Sequence, residues 1–200
     1  EFRRVLFRSS IRQANRGDYD FYLALHSNAS GPGSQGQSRG VIAFYYPTSA
    51  NGRRGAEIIA RNMQEIYPLP ERVVTRPTTT LGEVRQPRAP AVLVEIGYHD
   101  NEADARWIES HIDAIGQNLA MSMAEYFGLP FTYPGPSQPG VIVTESGGPV
   151  NLRAEPSVTG RVLTRIPSGE TVTVFGQYRG WYVVLYGDTL GYVSAPYVQI

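Results

Sequence analysis

Apolar and polar positions alternate between two regimes along this chain. Residues 21–25, Phe-Tyr-Leu-Ala-Leu, form a short apolar run that stops at His26 and gives way to a segment rich in glycine and serine. A run of that length bounded by turn formers predicts a buried strand. A second run, residues 40–46, ends at Pro47. Residues 51–67 then carry Ala56, Ile59, Ala60, Met63 and Ile66 at three- and four-residue spacing, which predicts a helix with one apolar face, ended by Pro68 and Pro70. Residues 71–88 are polar and threonine-rich, with a short strand expected at 73–75. Residues 90–97 are apolar without alternation, the texture of a strand covered on both faces as in a parallel sheet, yet they include Glu95. A helix capped by Asn101 and a second over 111–127, with Ile112, Ile115, Leu119 and Met123 inward, complete this part. Residues 11–17 are expected to be the end of an earlier helix, and 31–39 a flexible surface loop bordering the histidine strand.

After residue 130 the texture changes. Residues 131–140 hold three prolines and two glycines and are read as a linker. Beyond it, short β-type runs at 141–144, 161–166, 171–178, 181–186 and 191–194 are separated by turn signals such as Arg179-Gly180, which predicts a small all-β barrel over 141–200. The expected fold is therefore α/β, a mostly parallel twisted sheet flanked by helices over 10–130, followed by an SH3-like barrel. Residues 1–9, Glu-Phe-Arg-Arg-Val-Leu-Phe-Arg-Ser, resemble the translation of a sequencing adapter joined to a gene fragment and are set apart from the fold as an artefact. The chain does not begin with methionine, so it reads as a piece of a longer protein.

Composition narrows the function. Eighteen basic residues balance eighteen acidic ones, so no overall field favours nucleic acid or an anionic membrane. No apolar run reaches the roughly twenty residues that span a bilayer. With no cysteine, disulfides, thiolate zinc sites and a cysteine nucleophile are excluded. The candidate chemistry rests on His26 and Glu95. A histidine at the carboxyl end of a buried strand sits where open α/β sheets place ligands. It can equally be a partly buried histidine satisfied by backbone. A buried carboxylate is costly unless paired or metal-bound. Glu95 is therefore either functional or paired with an arginine such as Arg85 or Arg88.

Leu25-His26-Ser27-Asn28-Ala29 and Val94-Glu95-Ile96-Gly97-Tyr98, followed by Asn101, resemble two signature segments of the zinc-dependent N-acetylmuramoyl-L-alanine amidases, the cell-wall hydrolases of the Amidase_3 group. Arg12 and Asn15 resemble the family's lead-in to the histidine strand. The resemblance implies that His26 binds Zn2+ and that Glu95 is the catalytic acid/base. It implies hydrolysis of the amide between N-acetylmuramic acid and L-alanine, with peptidoglycan glycan and stem peptide as partners, outside the cell at the wall. A monomeric autolysin without nucleic-acid or membrane partners is the expectation. The family's first ligand histidine, in a glycine-rich turn, and its ligand glutamate are not matched. Of three histidines, His99 is a marginal candidate and His111 a helix-surface residue. One of three expected ligands implies that the chain by itself binds zinc poorly and is inactive.

The C-terminal part resembles a bacterial SH3 (SH3b) domain through Val150-Asn151-Leu152-Arg153, Glu155-Pro156-Ser157, Ile166-Pro167-Ser168-Gly169, Gly180-Trp181-Tyr182-Val183 and Gly191-Tyr192-Val193. Such domains bind wall peptide or glycan in family members. Tyr178, Trp181, Tyr182, Tyr192 and Tyr197 are candidates for an aromatic platform, with packing of the small barrel the alternative for Trp181 and Tyr192. Two other functions stay open: a zinc peptidase releasing free amino acids, and a non-catalytic wall-binding protein with a degenerate amidase domain.

Overall fold

The computed structural model describes residues 2–133 and 135–200, with side chains from residue 9 onward. It separates into two compact units, Glu1–Tyr126 and Phe127–Ile200.

Unit 1 is built on four strands, β1 (Tyr22–Asn28), β2 (Val41–Tyr45), β3 (Val73–Pro77) and β4 (Ala91–Tyr98), in the order β1-β4-β2-β3. β1 pairs parallel with β4 and β2 parallel with β3, while β2 runs antiparallel to β4. The α/β fold expected is found, with one antiparallel join inside it. The unbroken apolar texture of β4 reflects cover on both faces, which a central strand has in either direction. On one face Val41, Ala43, Val73, Val92 and Val94 meet Ala56, Ile59 and Met63 of α2 (Ala50–Gln64), with Trp107 of α4 (Glu102–Ser110) and Leu119 of α5 (Ile112–Phe127) completing the core. On the other, Ala24 and Leu93 pack on Val84.

Local signals set the ends of these helices. Ser49 accepts from the Gly52 amide at 3.1 Å and starts α2. Asn101 accepts from the Ala103 and Asp104 amides at 3.1 and 3.2 Å and starts α4. Such caps satisfy amides that the helix leaves unpaired. Gly55 lets α2 approach the residue that leads into β1, because a Cβ there would lie 2.7 Å from the Phe21 ring.

The first helix, α1, covers Phe2–Arg16 and ends within the residues 11–17 expected to close a helix. Two expectations change. A four-residue helix, α3 (Gly82–Arg85), lies in the segment expected to be polar and irregular, and burial of Val84 holds it in place. The 31–39 loop is tied down: the Ser30 and Gly36 amides donate to Asp100 Oδ2 at 3.0 and 3.1 Å, and Asn101 Nδ2 donates to the Gly36 carbonyl. These partners lie more than sixty positions away along the chain, so local composition does not reveal them.

Unit 2 is a seven-stranded antiparallel sheet, β5 (Gln138–Ile142), β6 (Val150–Arg153), β7 (Val162–Ile166), β8 (Thr171–Tyr178), β9 (Trp181–Tyr186), β10 (Thr189–Ser194) and β11 (Val198–Gln199), in the order β11-β5-β8-β9-β10-β6-β7. It encloses one aliphatic core, centred on Ile142, Leu152, Ile166, Val174, Val184 and Val193. Arg179 (φ 48°) and Gly180 (φ 81°) form the two-residue turn that joins Tyr178 to Trp181. Two successive positive φ values are what a tight hairpin with the strand's own twist requires. β5 starts inside the stretch read as a linker, and Phe131 and Tyr133 also pack there, edge-on to Tyr178.

Candidate active site

Parallel pairing of β1 with β4 brings His26 directly opposite Glu95. Opposed residues on neighbouring strands share a face, with strands about 4.8 Å apart. Both therefore stand on the face away from α2, near the carboxyl ends of their strands. A β-bulge or irregularity between His26 and Asn28 breaks the register there.

The third member is Glu83, which sequence reasoning missed. His26 Nε2 lies 2.9 Å from Glu83 Oε2, and the Tyr22 hydroxyl donates to Glu83 Oε1 at 2.9 Å. Burial of Val84 fixes α3 against Ala24 and Leu93, and Glu83, its neighbour, is thereby carried over the end of β1. Burial raises the Tyr22 hydroxyl above its ordinary pKa; the bond from Ser10 opposes this and Glu83 adds to it. No local pattern marks Glu83, which is fifty-seven positions from His26.

Glu95 is half-buried, and its Oε2 is inaccessible and has no hydrogen-bond partner. Burial raises its pKa above the ordinary carboxylate value; His26 and His99 pull it down, and the neighbouring charge of Glu83 pushes it up further. No arginine pairs with it among the described residues, so pairing with Arg85 or Arg88 does not hold. Instead the Arg88 amide donates to Asn15 Oδ1 at 2.8 Å, and Asn15 Nδ2 donates to the Gln86 carbonyl at 2.9 Å. Asn15 thus anchors the chain that leads into β4. His99 is held by Ser27, with Oγ to Nδ1 at 3.0 Å. His111 lies at the junction of α4 and α5, stacked on Trp107 and bonded to the Trp107 carbonyl, away from the site.

Behind the site, Asp104 is fully buried and accepts four bonds: from Arg39 Nε, the Tyr67 hydroxyl and the amides of Gly40 and Tyr98, at 2.7–3.1 Å. Burial alone would raise its pKa, but these donors outweigh it and hold the carboxylate below its usual value. The same burial and the bond to Asp104 push the Tyr67 hydroxyl well above its usual range. This hub fixes both ends of the turn that carries His99, Asp100 and Asn101.

Imidazole nitrogen and carboxylate oxygen are both suitable zinc donors. His26 and Glu83 supply one each, and the orphaned Glu95 oxygen points to a missing partner close by. Among the described residues no point gathers three or more histidine, aspartate or glutamate side chains. The donor chemistry fits zinc, while the donor number stays short of the usual three.

In unit 2 the expected aromatic platform divides. Tyr178 and Tyr192 are buried: Tyr178 packs against Phe131 and Tyr133, and Tyr192 Oη bonds the Phe131 amide and carbonyl at 2.6 and 3.1 Å. Trp181 and Tyr182 are consecutive on β9, so they face opposite sides of the sheet, and Tyr182 packs on the core. Trp181 instead lines a groove of about 790 Å3 with Tyr197, Pro196, Asn151, Glu145 and Arg153. Tyr197 is therefore the aromatic residue that joins Trp181 on this surface.

The N-acetylmuramoyl-L-alanine amidase profile Amidase_3 matches residues 4–125, and the bacterial SH3 domain profile SH3_3 matches 148–199. No curated protein sequence matches the chain. Among solved structures, the chain is similar to the catalytic domain of the CD27L endolysin targeting Clostridia Difficile, at 24% identity and TM-score 0.51, covering 59% of this chain and 61% of that one. It is also similar to the N-acetylmuramoyl-L-alanine amidase AmiC2 of Nostoc punctiforme, at 19% and 0.52, covering 60% and 64%. A third is the catalytic domain of the amidase CwlV from Bacillus (Paenibacillus) polymyxa var. colistinus, at 21% and 0.51, with the same coverage. At these identities the likeness is one of fold, and the chain spans less than two thirds of each of these three structures. With the family profile matched over more than half its length, the chain belongs to the Amidase_3 family of N-acetylmuramoyl-L-alanine amidases and carries a bacterial SH3 domain behind it.

Proposed function

We propose that this chain carries the His26–Glu95 side of a peptidoglycan amidase, which hydrolyses the amide between N-acetylmuramic acid and L-alanine at the cell wall. The observation that supports it most is the registered pair of His26 and Glu95, with a buried, unpartnered carboxylate oxygen beside an imidazole. His26, with Glu83, would hold zinc, which when bound supplies Lewis acidity and favours ionisation of a nearby water. Glu95 accepts the proton of the attacking water and returns it to the departing alanine amine. Its raised pKa suits both directions of that transfer. Tyr22, donating to Glu83, orients that carboxylate toward His26.

The groove beside Trp181 and Tyr197 would hold a wall peptide or glycan and keep the enzyme on its polymer. This fits a secreted, wall-associated autolysin. No described helix is long and apolar enough to cross a membrane.

Two donors are fewer than a catalytic zinc needs, so the chain by itself is expected to bind zinc weakly and turn over peptidoglycan slowly. The same shortfall favours a second reading, a wall-binding protein whose amidase domain is degenerate. Equilibrium dialysis of the chain and of His26→Ala against zinc, with amine release from purified peptidoglycan, tests the proposal. Weak zinc binding that His26→Ala abolishes is expected. Zinc affinity unchanged by His26→Ala contradicts the site, and full stoichiometric zinc with rapid turnover contradicts the incomplete donor set.

A further inference from the structure

The site face of unit 1 does not end at Glu95. Across the sheet, Glu95 is registered with Ile42 of β2, and Ile42 with Val74 of β3. Registered positions share a face, so His26, Glu95, Ile42 and Val74 form one row across four strands. Side chains two apart on a strand also share a face. Arg76 therefore shares the face of Val74 on the side that bears Glu95, and Arg72 closes the 3-10 turn, Pro70–Arg72, just before β3. The structure shows a groove there of about 310 Å3, with Ile42 and Val74 at its base and Arg39, Arg72, Arg76 and Tyr98 around it.

The charges in this groove are unbalanced. Arg39 is committed through Nε to Asp104. Arg72 and Arg76 are exposed and have no carboxylate partner among the described residues. No acidic side chain lines the groove. An unpaired pair of guanidinium groups at either side of a short apolar strip is suited to a carboxylate, which arginine binds through two parallel bonds.

We propose that this groove is an anion subsite that receives a free carboxylate of the stem peptide. The proposal rests on the amidase reading given above. Glu95 and Val74 are separated by two strand spacings, about 10 Å. An extended peptide rises about 3.3 Å per residue. The carboxylate bound between Arg72 and Arg76 thus belongs to a residue about three positions from the scissile amide. Ile42 and Val74 between the two ends give the intervening peptide an apolar floor. The subsite fixes the direction of the peptide, with its alanine end at Glu95.

Binding of a synthetic N-acyl-L-alanyl tripeptide with free carboxylates to the 200-residue chain tests this, compared with the same peptide amidated at every carboxylate. The free acid is expected to bind about five- to tenfold tighter. Arg72→Gln/Arg76→Gln should remove that preference with an unchanged melting temperature, and Arg72→Lys/Arg76→Lys should restore part of it. Equal binding of the two peptides, no saturable binding of either, or a preference that survives the double glutamine variant overturns the subsite. So does displacement of the peptide by inorganic phosphate at equal concentration, which would show a site that reads charge alone. Hydrolysis is not read in this assay. A carboxylate preference together with zinc affinity unchanged by His26→Ala in the dialysis experiment would leave the subsite standing and count against the amidase reading. Turnover without the preference would do the reverse.

Discussion

Unit 1 closes around polar side chains: Asp104, Asn62, Asn118 and Ser122 are all buried there. The described buried side chains of unit 2 include none that is polar in this sense, only aliphatic residues and the rings of Tyr178 and Tyr192. The difference follows what each unit must hold in place. Unit 2 needs only to keep an antiparallel sheet folded over one aliphatic core, and its candidate groove lies on the outside. Unit 1 must hold a loop, a turn and the ends of two strands in register around His26 and Glu95. Asp104 does this by binding Arg39, Gly40, Tyr67 and Tyr98 at once. Directional bonds specify position where apolar contact specifies only burial.

The strongest way to break this contrast is Asp104→Ala. It strands four donors in a dry interior and is expected to cost unit 1 about 3–5 kcal/mol. Chemical denaturation followed by each unit's single tryptophan, Trp107 or Trp181, separates the two responses. Unit 2 should melt as before. A pH series sharpens the same point. The folded pKa of Asp104 lies below its ordinary 3.8. Its contribution is therefore present above the unfolded value and is lost as pH falls through the folded one. In acid, the Trp107 signal should be lost before the Trp181 signal. Simultaneous loss would contradict the contrast.

Next in size is Ile166→Ala in unit 2. Ile166 is fully buried in the aliphatic core, and the deletion should cost about 3 kcal/mol. Here the Trp181 transition should shift, with little dependence on pH. Asp100→Ala is smaller. It removes the acceptor of the Ser30 and Gly36 amides, so hydrogen exchange at those amides should rise while global stability changes by about 1 kcal/mol. Protection unchanged at both amides would show that the loop is held by something else. The smallest effect on stability is expected from Leu25→Lys. Leu25 is 52% exposed on β1, a strand with no partner on its outer edge among the described residues. A charge there should suppress aggregation, seen by light scattering, at a stability change within about 0.5 kcal/mol.

Legibility in the sequence followed the range of the interaction. The strands carrying His26 and Glu95 could be read because apolar runs and turn residues are local signals. The Asn101 cap and the Arg179-Gly180 turn were legible for the same reason. Direction within the sheet was not, because β4 would look equally apolar beside a parallel or an antiparallel neighbour. Glu83 was missed because its role depends on burial of Val84 against residues far away in sequence. Tyr178 and Tyr192 were expected on a ligand surface, since an aromatic residue reads alike whether it packs or binds. The bonds of Tyr192 to Phe131 span sixty-one positions and cross a stretch that composition marked as linker.

Glu95 is the residue on which hydrolysis depends most directly in the proposed reaction. Its test is the rate of amine release from purified peptidoglycan by the chain at saturating zinc, with and without Glu95→Gln, alongside the zinc content of each. Loss of turnover by about 10²–10⁴-fold with zinc retained is the predicted result. Turnover within a few fold of the unaltered enzyme, at equal zinc, would contradict it.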